Sequence, residues 1–468
     1  MYIINKLIDP KSILKEEQIK GELPTTKEIL KKTFNIAWPS ALESLLVAMI
    51  ATMDMIMVGS LGKEALSAVG ICTQPKNICL APIIAINTAT VVFVSRKKGE
   101  NNRKEAIDYA KIAIILSLIV SLFVCLLSYI YSKQILLFAG ANSDYIDLAT
   151  SYYRIVTISL IPYSVGLTMT SAHRGAGFTK ISLITNLTAN IVNIIFNLFL
   201  INGYWFFPRL GVVGAAIATA IGNVASFIIA CFAMFNHKSF ININFNKIES
   251  LFIKTKDLIT IALNAFAEQI ILRIGFFIYA KVVANLGTSE FAAHQATMSI
   301  MNITFSIGEG LQIANTSLVG QSIGAKREDM AIVHTRTTVF IGMCVGMFVF
   351  FILSAFKRSI VGVFTTDPEV IELAMIPITI LSIVCIFQIQ QVIMFGTLRG
   401  AKDLKIVTRI QFVCVGIIRP FFSYFLVYPM GLGLLGAWLG LLTDQLTRFT
   451  CSLIRIRSNK WIKINNKL

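Results

Sequence analysis

Charge is scarce in this chain. Asp, Glu, Lys and Arg together make up 14% of the 468 residues, against 55% apolar. A soluble globule of that composition has too few polar groups to cover its own surface. The eight cysteines contain no close CxxC pair and lie within or at the ends of apolar stretches, so they read as small buried hydrophobes rather than ligands or redox pairs. Only four histidines are present, far apart, which argues against a histidine metal site. No GxxxxGK[ST] loop occurs, so ATP is not the evident energy source. No nucleophile with a base, and no metal cluster, stands among the apolar stretches, so an intramembrane enzyme is not expected.

What is present is hydrocarbon. The mean hydropathy is +0.72, and apolar runs of about 20 residues, each long enough to cross a core about 30 Å thick, recur along the chain. Twelve spans are expected, at 34–60, 66–94, 107–131, 146–172, 181–203, 211–235, 257–286, 291–321, 332–355, 370–396, 405–428 and 433–456. The net charge of +17 is not gathered on one soluble patch, as nucleic-acid binding would need, but alternates along the chain. Arg96-Lys97-Lys98, Arg103-Lys104, Lys326-Arg327 and Lys460 with Lys463 fall on one side, and few basic residues fall on the other. By the positive-inside rule both termini are cytoplasmic.

The chain also repeats itself. Leu61-Gly62, Gly99, Ala106 and Arg174-Gly175-Ala176 with Lys180 reappear 225 residues later as Leu286-Gly287, Gly324, Ala331 and Arg399-Gly400-Ala401 with Lys405. A constant offset implies two copies of one unit. Six spans per copy give both halves the same orientation, the parallel-repeat arrangement of alternating-access carriers. The expected fold is therefore an all-α membrane protein of two pseudo-symmetric six-helix lobes. The first would occupy 34–235 and the second 257–456, with a cytoplasmic linker at 236–256, a solvated, partly helical tail at 1–33 and a second tail at 457–468.

A carboxylate near the middle of a span costs about 2.5–3.5 kcal/mol on insertion scales, so one that persists usually faces a cavity or a partner. Glu43 and Asp54 are eleven residues apart on the first span, which places them on one helical face. Glu43 recurs in the repeat as Glu268, whereas Asp54 is matched by Tyr279. Glu309 has no acidic partner in the repeat. Asp54 could line a polar path or snorkel to the interface; Glu43 and Glu268 could serve function or an ion pair, with Arg273 a poorly phased mate; Glu309 could line a cation pocket or satisfy a basic neighbour. Asp444 and Arg448, four apart, are expected to pair. In the fifth span Asn186, Asn190, Asn193 and Asn197 stack on one face. Amide carbonyls in such a stripe suit a hard cation, though they also bind helices together. Gln388 and Gln391 in the tenth span carry the same pair of readings.

These residues carry a family resemblance. Pro39, Glu43, the run Asp54 to Gly59, Leu61-Gly62 and Ala65-Leu66 resemble the first helix and following loop of the multidrug and toxic compound extrusion (MATE) family. So do Asn193 and Asn197 before the Gly211 to Thr219 run, Glu268 with Ala293-His294-Gln295, Gly320-Gln321, and Leu398-Arg399-Gly400. The resemblance extends from about residue 30 to 450 in the family's order. It implies two lobes facing a central cavity and export of amphipathic organic cations in exchange for sodium or protons. It assigns Asp54, Asn193, Asn197 and Thr219 to a cation site of the N-terminal lobe, and makes Glu268 the acid of the C-terminal lobe. Two departures matter. Several relatives have aspartate where Asn197 stands, which leaves the preferred ion open, and others have aspartate where Gln388 stands, which puts a coupling site in the C-terminal lobe in doubt.

The resulting expectation is a multi-pass plasma-membrane antiporter, not an enzyme, acting as a monomer, with small organic cations and membrane lipids as partners and no nucleic acid. It needs no cofactor beyond a coupling sodium ion or proton, and no metal site beyond a sodium site at Asp54. The alternative is a flippase of a lipid-linked precursor from the same broad superfamily. Its anionic cargo would use Lys76, Arg154, Arg273, Lys281, Arg419 and Arg448.

Overall fold

The structure, a computed structural model, describes residues 9–59, 61, 63–141, 143–203, 207–235, 240–242, 248–365 and 367–463, without the side chains of 50–56, 59, 63, 66, 202 and 463. Twelve long helices account for most of these residues. They are α1 (Thr26–Gly59), α2 (Lys63–Gly99), α3 (Arg103–Ile130), α4 (Ile146–Gly175), α5 (Thr179–Asn202) and α6 (Gly211–Phe235), then α7 (Leu251–Ala284), α8 (Thr288–Gly324), α9 (Glu328–Ala355), α10 (Pro368–Gly400), α11 (Leu404–Val427) and α12 (Gly433–Arg457). Each covers one of the twelve expected spans. Among the described residues nine are apolar and long enough to cross a membrane by composition alone. Phe123, Phe232, Phe277 and Phe348 are among the large apolar side chains left uncovered by protein, as lipid-facing positions require.

Local chemistry explains where the helices begin and end. Asn102 caps α3 by accepting from the Glu105 N–H, and Asp367 caps α10 ahead of Pro368 at its first position. Gly203, at φ 74°, closes α5 in the left-handed conformation. Arg96, Lys97 and Lys98 crowd the last turn of α2, where the helix dipole favours cations. Inside α11 the residues Phe412–Ile418 form a π-helical stretch between two α-helical segments, a widening often found at functional sites.

Packing divides the chain into a C-unit, residues 1–45 with 267–468, and an N-unit, residues 46–266. The divisions fall inside α1 and α7, not in the linker expected at 236–256. The first part of α1 belongs to the C-unit. Ala37 packs with Leu311, Ala314, Ile389 and Ile393, and Thr33 Oγ1 lies 3.2 Å from His334 Nδ1. Any side chain at Gly310 would collide with the backbone of Ser40 and Ala41. The first part of α7 belongs to the N-unit in the same way, with Leu258 and Ala262 packed against Ile86, Ala89, Phe93 and Tyr109. The repeat therefore exchanges its entering segments.

The tail departs from expectation too. Far from being solvated throughout, it buries Ile13 and Leu14 with Ile29, Met330 and Val333 in the C-unit. Lys20 pairs with Glu328, and Arg327 Nη2 donates to the Glu22 carbonyl at 2.8 Å. Ile13, Leu14 and Leu23 give this polar stretch an apolar side, and the α8–α9 turn offers a matching surface. The N-unit repeats the device. Arg103 Nε donates to the Phe240 carbonyl at 2.9 Å, and Ile241 is buried beside Ala106 and Ala110.

Candidate functional site

In the N-unit, α5 and α6 make the polar crossing expected from the asparagine stripe. Asn193 and Asn197 turn inward and are buried, while Asn186 and Asn190 are half-buried farther along the same face. Gly222 permits the approach, since a Cβ there would stand 3.0 Å from the Asn193 Cβ. Asn197 Nδ2 donates to Asn193 Oδ1 at 3.2 Å, Asn193 Nδ2 donates to Thr219 Oγ1 at 3.4 Å, and Thr219 donates to the Ala215 carbonyl at 3.0 Å. Three of the four expected cation-site residues thus form one directed ladder. The fourth, Asp54, is helical on α1, in the part that belongs to the N-unit, and its side chain lies outside the described residues. Two further polar contacts were not singled out from sequence. Asn223 Nδ2 donates to Ser159 Oγ at 2.9 Å, and Thr168 Oγ1 donates to Asn87 Oδ1 at 2.7 Å. Isolated polar residues on separate helices leave no spacing pattern, so no sequence signal marks them.

The C-unit is organised by charge. Glu268 on α7 is 2% exposed and accepts from Arg399 Nη2 of α10 at 2.5 Å. Arg273, the mate considered from sequence, is not its hydrogen-bond partner; the pairing comes from a helix 131 residues away. Gln411 Nε2 also donates to Glu268 at 3.4 Å, and its carbonyl accepts from Arg448 Nη1 at 3.3 Å. Arg448 and Asp444 pair at 2.8 Å, as their spacing predicts, and Arg419 joins the same carboxylate oxygen at 2.6 Å. The result is a continuous buried chain, Arg399–Glu268–Gln411–Arg448–Asp444–Arg419. Charges in so dry a setting persist only when paired and hydrogen-bonded.

The remaining candidates stand around this chain. Glu309 on α8 is exposed and has Arg399, Arg273 and Glu268 as charged neighbours. Glu43 is buried on the C-unit part of α1. Gln388 and Gln391 are buried on α10 together with Gln390. Among the described residues both amide atoms of Gln390 and Gln391, and the carbonyl oxygen of Gln388, have no hydrogen-bond partner. Such groups cost about 1–3 kcal/mol each when left unmade.

Similarity to known proteins agrees with this layout. The MatE family model matches residues 39–199 and 265–425, two blocks that together cover more than half of the chain. The "Probable multidrug resistance protein NorM" of Thermotoga maritima is 24% identical over 97% of both chains. The "Uncharacterized transporter YisQ" of Bacillus subtilis is 24% identical over 92% of this chain and 94% of its own. Among solved structures, one described as the outward-facing conformation of a multidrug resistance MATE family transporter of the MOP superfamily superposes with a TM-score of 0.86. It has 19% identity and covers 92% of this chain and 97% of its own. A twelve-helix, two-lobe transporter fold, a repeat matched twice by one model and a polar crossing in the first copy all converge, and the chain is a member of the MatE family of multi-pass membrane transporters.

Proposed function

We propose that this transporter exports amphipathic organic cations across the cytoplasmic membrane, with both termini in the cytoplasm, in exchange for a sodium ion or proton bound in the N-unit. The observation that carries the proposal is the Asn197–Asn193–Thr219 ladder, set in the same unit as the Asp54 segment of α1. A hard cation needs a negative charge with several neutral oxygens around it, and a proton needs a carboxylate to take it. Asp54 supplies the charge, and Asn193, Asn197 and Thr219 supply the oxygens.

Binding of the external cation neutralises Asp54 and so weakens its attraction for a cationic substrate. A ligand moves a two-state equilibrium only by binding the two states unequally. Asp54 must therefore change its exposure or its partners between outward- and inward-open states. Pro39, inside α1 and a short way before the division between units at residue 45, removes a backbone hydrogen bond where such a change would bend the helix. Among the described residues of the C-unit, the exposed Glu309 and the unpartnered amide atoms of the α10 glutamines are the groups we assign to meet substrate.

A lipid-linked anionic cargo is less well served. Arg419 and Arg448 are held by Asp444, which takes two of the six basic residues that such a cargo would use. The deciding experiment is efflux of a fluorescent organic cation from liposomes under an imposed sodium or proton gradient. Asp54→Asn should abolish driven efflux while the protein remains folded; full efflux by the variant would overturn the assignment.

A further inference from the structure

The two units treat the same crossing differently. In the N-unit, a Cβ added to Gly214 of α6 would meet the Leu200 carbonyl of α5; in the C-unit, a Cβ added to Gly436 of α12 would meet Leu426 of α11. These two contacts set the repeat register at this point. From Leu200 to Leu426 the offset is 226, and from Gly214 to Gly436 it is 222. The fifth helix begins at an offset of 225, where Lys180 matches Lys405. The π-helical stretch at 412–418 lies between those two registers and accommodates the extra residue. Beyond it, Phe196, Phe199 and Leu200 match Phe422, Phe425 and Leu426 at the 226 offset.

In this register Asn193 corresponds to Arg419, and Gly222 corresponds to Asp444. Where the N-unit places the Asn193 amide against a glycine, the C-unit places a fully buried guanidinium against a fully buried carboxylate. Arg419 Nη2 and Nε reach Asp444 Oδ2 at 2.6 and 3.0 Å. The counterpart of Asp54 is Tyr279, whose ring centre lies 5.7 Å from the Arg419 guanidinium, with the Phe276 ring at 4.4 Å. Thr219 is replaced by Leu441, which is fully buried. Of the four positions the C-unit keeps only hydroxyl oxygens at two, Ser423 for Asn197 and Tyr279 for Asp54, and at the place of Asn193 it holds a side-chain cation, faced by a carboxylate and two aromatic rings.

We infer that Arg419 is a tethered cation, occupying in the C-terminal repeat the place at which the N-terminal repeat takes its coupling ion from solution. The inference rests on the assignment of the N-unit cation site proposed above. It has two consequences. Each transport cycle uses one coupling ion per chain, and the C-unit side of the crossing stays in one charge state throughout. The π-helical stretch is the device that turns residue 419 toward Asp444.

The test removes the tether and supplies the cation from solution. Arg419→Ala leaves a guanidinium-sized space beside Asp444, so millimolar guanidinium chloride should raise the thermal unfolding temperature of the purified full-length variant with saturation, as a bound ligand does. Sodium chloride at equal ionic strength should not. Wild type and Arg419→Lys, which keep a tethered cation, should show no saturable response. A folded Arg419→Ala protein indifferent to guanidinium, or a wild type that responds equally, overturns the inference. If Arg419→Ala does not fold, the stoichiometry of coupling-ion binding to the wild type decides. About one ion per chain supports the tethered cation, and two overturn it. Failure of the N-unit assignment would appear separately, as efflux retained in Asp54→Asn with the guanidinium response at residue 419 intact.

Discussion

Asp108 of α3 and Lys254 of α7 form a buried ion pair in the N-unit, with 2.6 Å between Oδ2 and Nζ, at the positions where the repeat in the C-unit has Val333 and Ile29 in one apolar cluster. The same docking of an entering segment is thus made once by charge and once by hydrocarbon. Removing one partner of a buried pair strands the other, at a cost of about 3–5 kcal/mol, whereas replacing both with apolar groups is often neutral or stabilising. Lys254→Met alone should lower the unfolding temperature clearly. Asp108→Val with Lys254→Ile should restore it to wild type or above, and a double variant no better than the single one would refute the equivalence.

Glu268 gives a second prediction. Its carboxylate is held by Arg399 and Gln411, so Glu268→Gln takes from the largely buried Arg399 the carboxylate it is hydrogen-bonded to and, among the described residues, leaves only Glu309 as a charged neighbour. The expected result is a stability loss of about 3–5 kcal/mol, read as a lower unfolding temperature and poorer yield. Any protein that folds should bind about one coupling ion per chain, as the tethered-cation inference requires. Loss of a bound coupling ion at unchanged stability would instead make Glu268 an ion ligand.

The asparagine ladder separates the two readings of the α5 stripe. Asn193→Ala removes a carbonyl oxygen and breaks two consecutive hydrogen bonds, each worth about 0.5–1.5 kcal/mol net. If the stripe serves ion binding, the coupling-ion concentration for half-maximal efflux should rise about tenfold or more, which corresponds to about 1.4 kcal/mol. A fall in stability with unchanged ion dependence would assign the ladder to helix packing.

The tail supplies a pH prediction outside the membrane. Burial raises the pKa of Asp329, but hydrogen bonds from Arg327 and from the Lys20 and Met330 N–H groups outweigh it and leave the pKa lowered. A carboxyl with a depressed folded pKa stabilises the fold above its ordinary value, about 3.9, and loses that contribution as pH falls through the folded pKa. Docking of residues 9–24 should therefore be unchanged from neutral pH to about 5 and weaken below the ordinary carboxylate range. Hydrogen exchange at the Lys20 amide, bonded to Asp329 at 3.1 Å, would follow it, and Asp329→Asn should remove the dependence.

The membrane class, the twelve spans and the repeat could be read from sequence because each rests on patterns local in the chain. Hydrophobic length defines a span whatever it packs against, and a constant offset needs no contacts to be seen. The asparagine face was legible for the same reason, through helical periodicity. The pairing of Arg448 with Asp444 was legible because the two are four residues apart on one helix. Glu268 with Arg399 was not, since 131 residues separate them and no spacing rule joins two helices. The division of the units inside α1 and α7 was also hidden. Helical sequence runs straight through residues 45 and 266, and only packing reveals that each half-helix belongs to a different unit.

The sequence by itself determined that this protein is a duplicated, twelve-span membrane protein with one acidic position shared by its halves and another present in only one. Tertiary structure alone decided how the polar residues are used. In the N-unit a glycine lets two helices close around a ladder of neutral oxygens, and in the C-unit a π-helical turn carries an arginine onto a buried aspartate. The physical reason is that the cost of burying a polar group depends on the partner it meets. That partner is assigned by helix crossings and helical phase between segments distant in the chain.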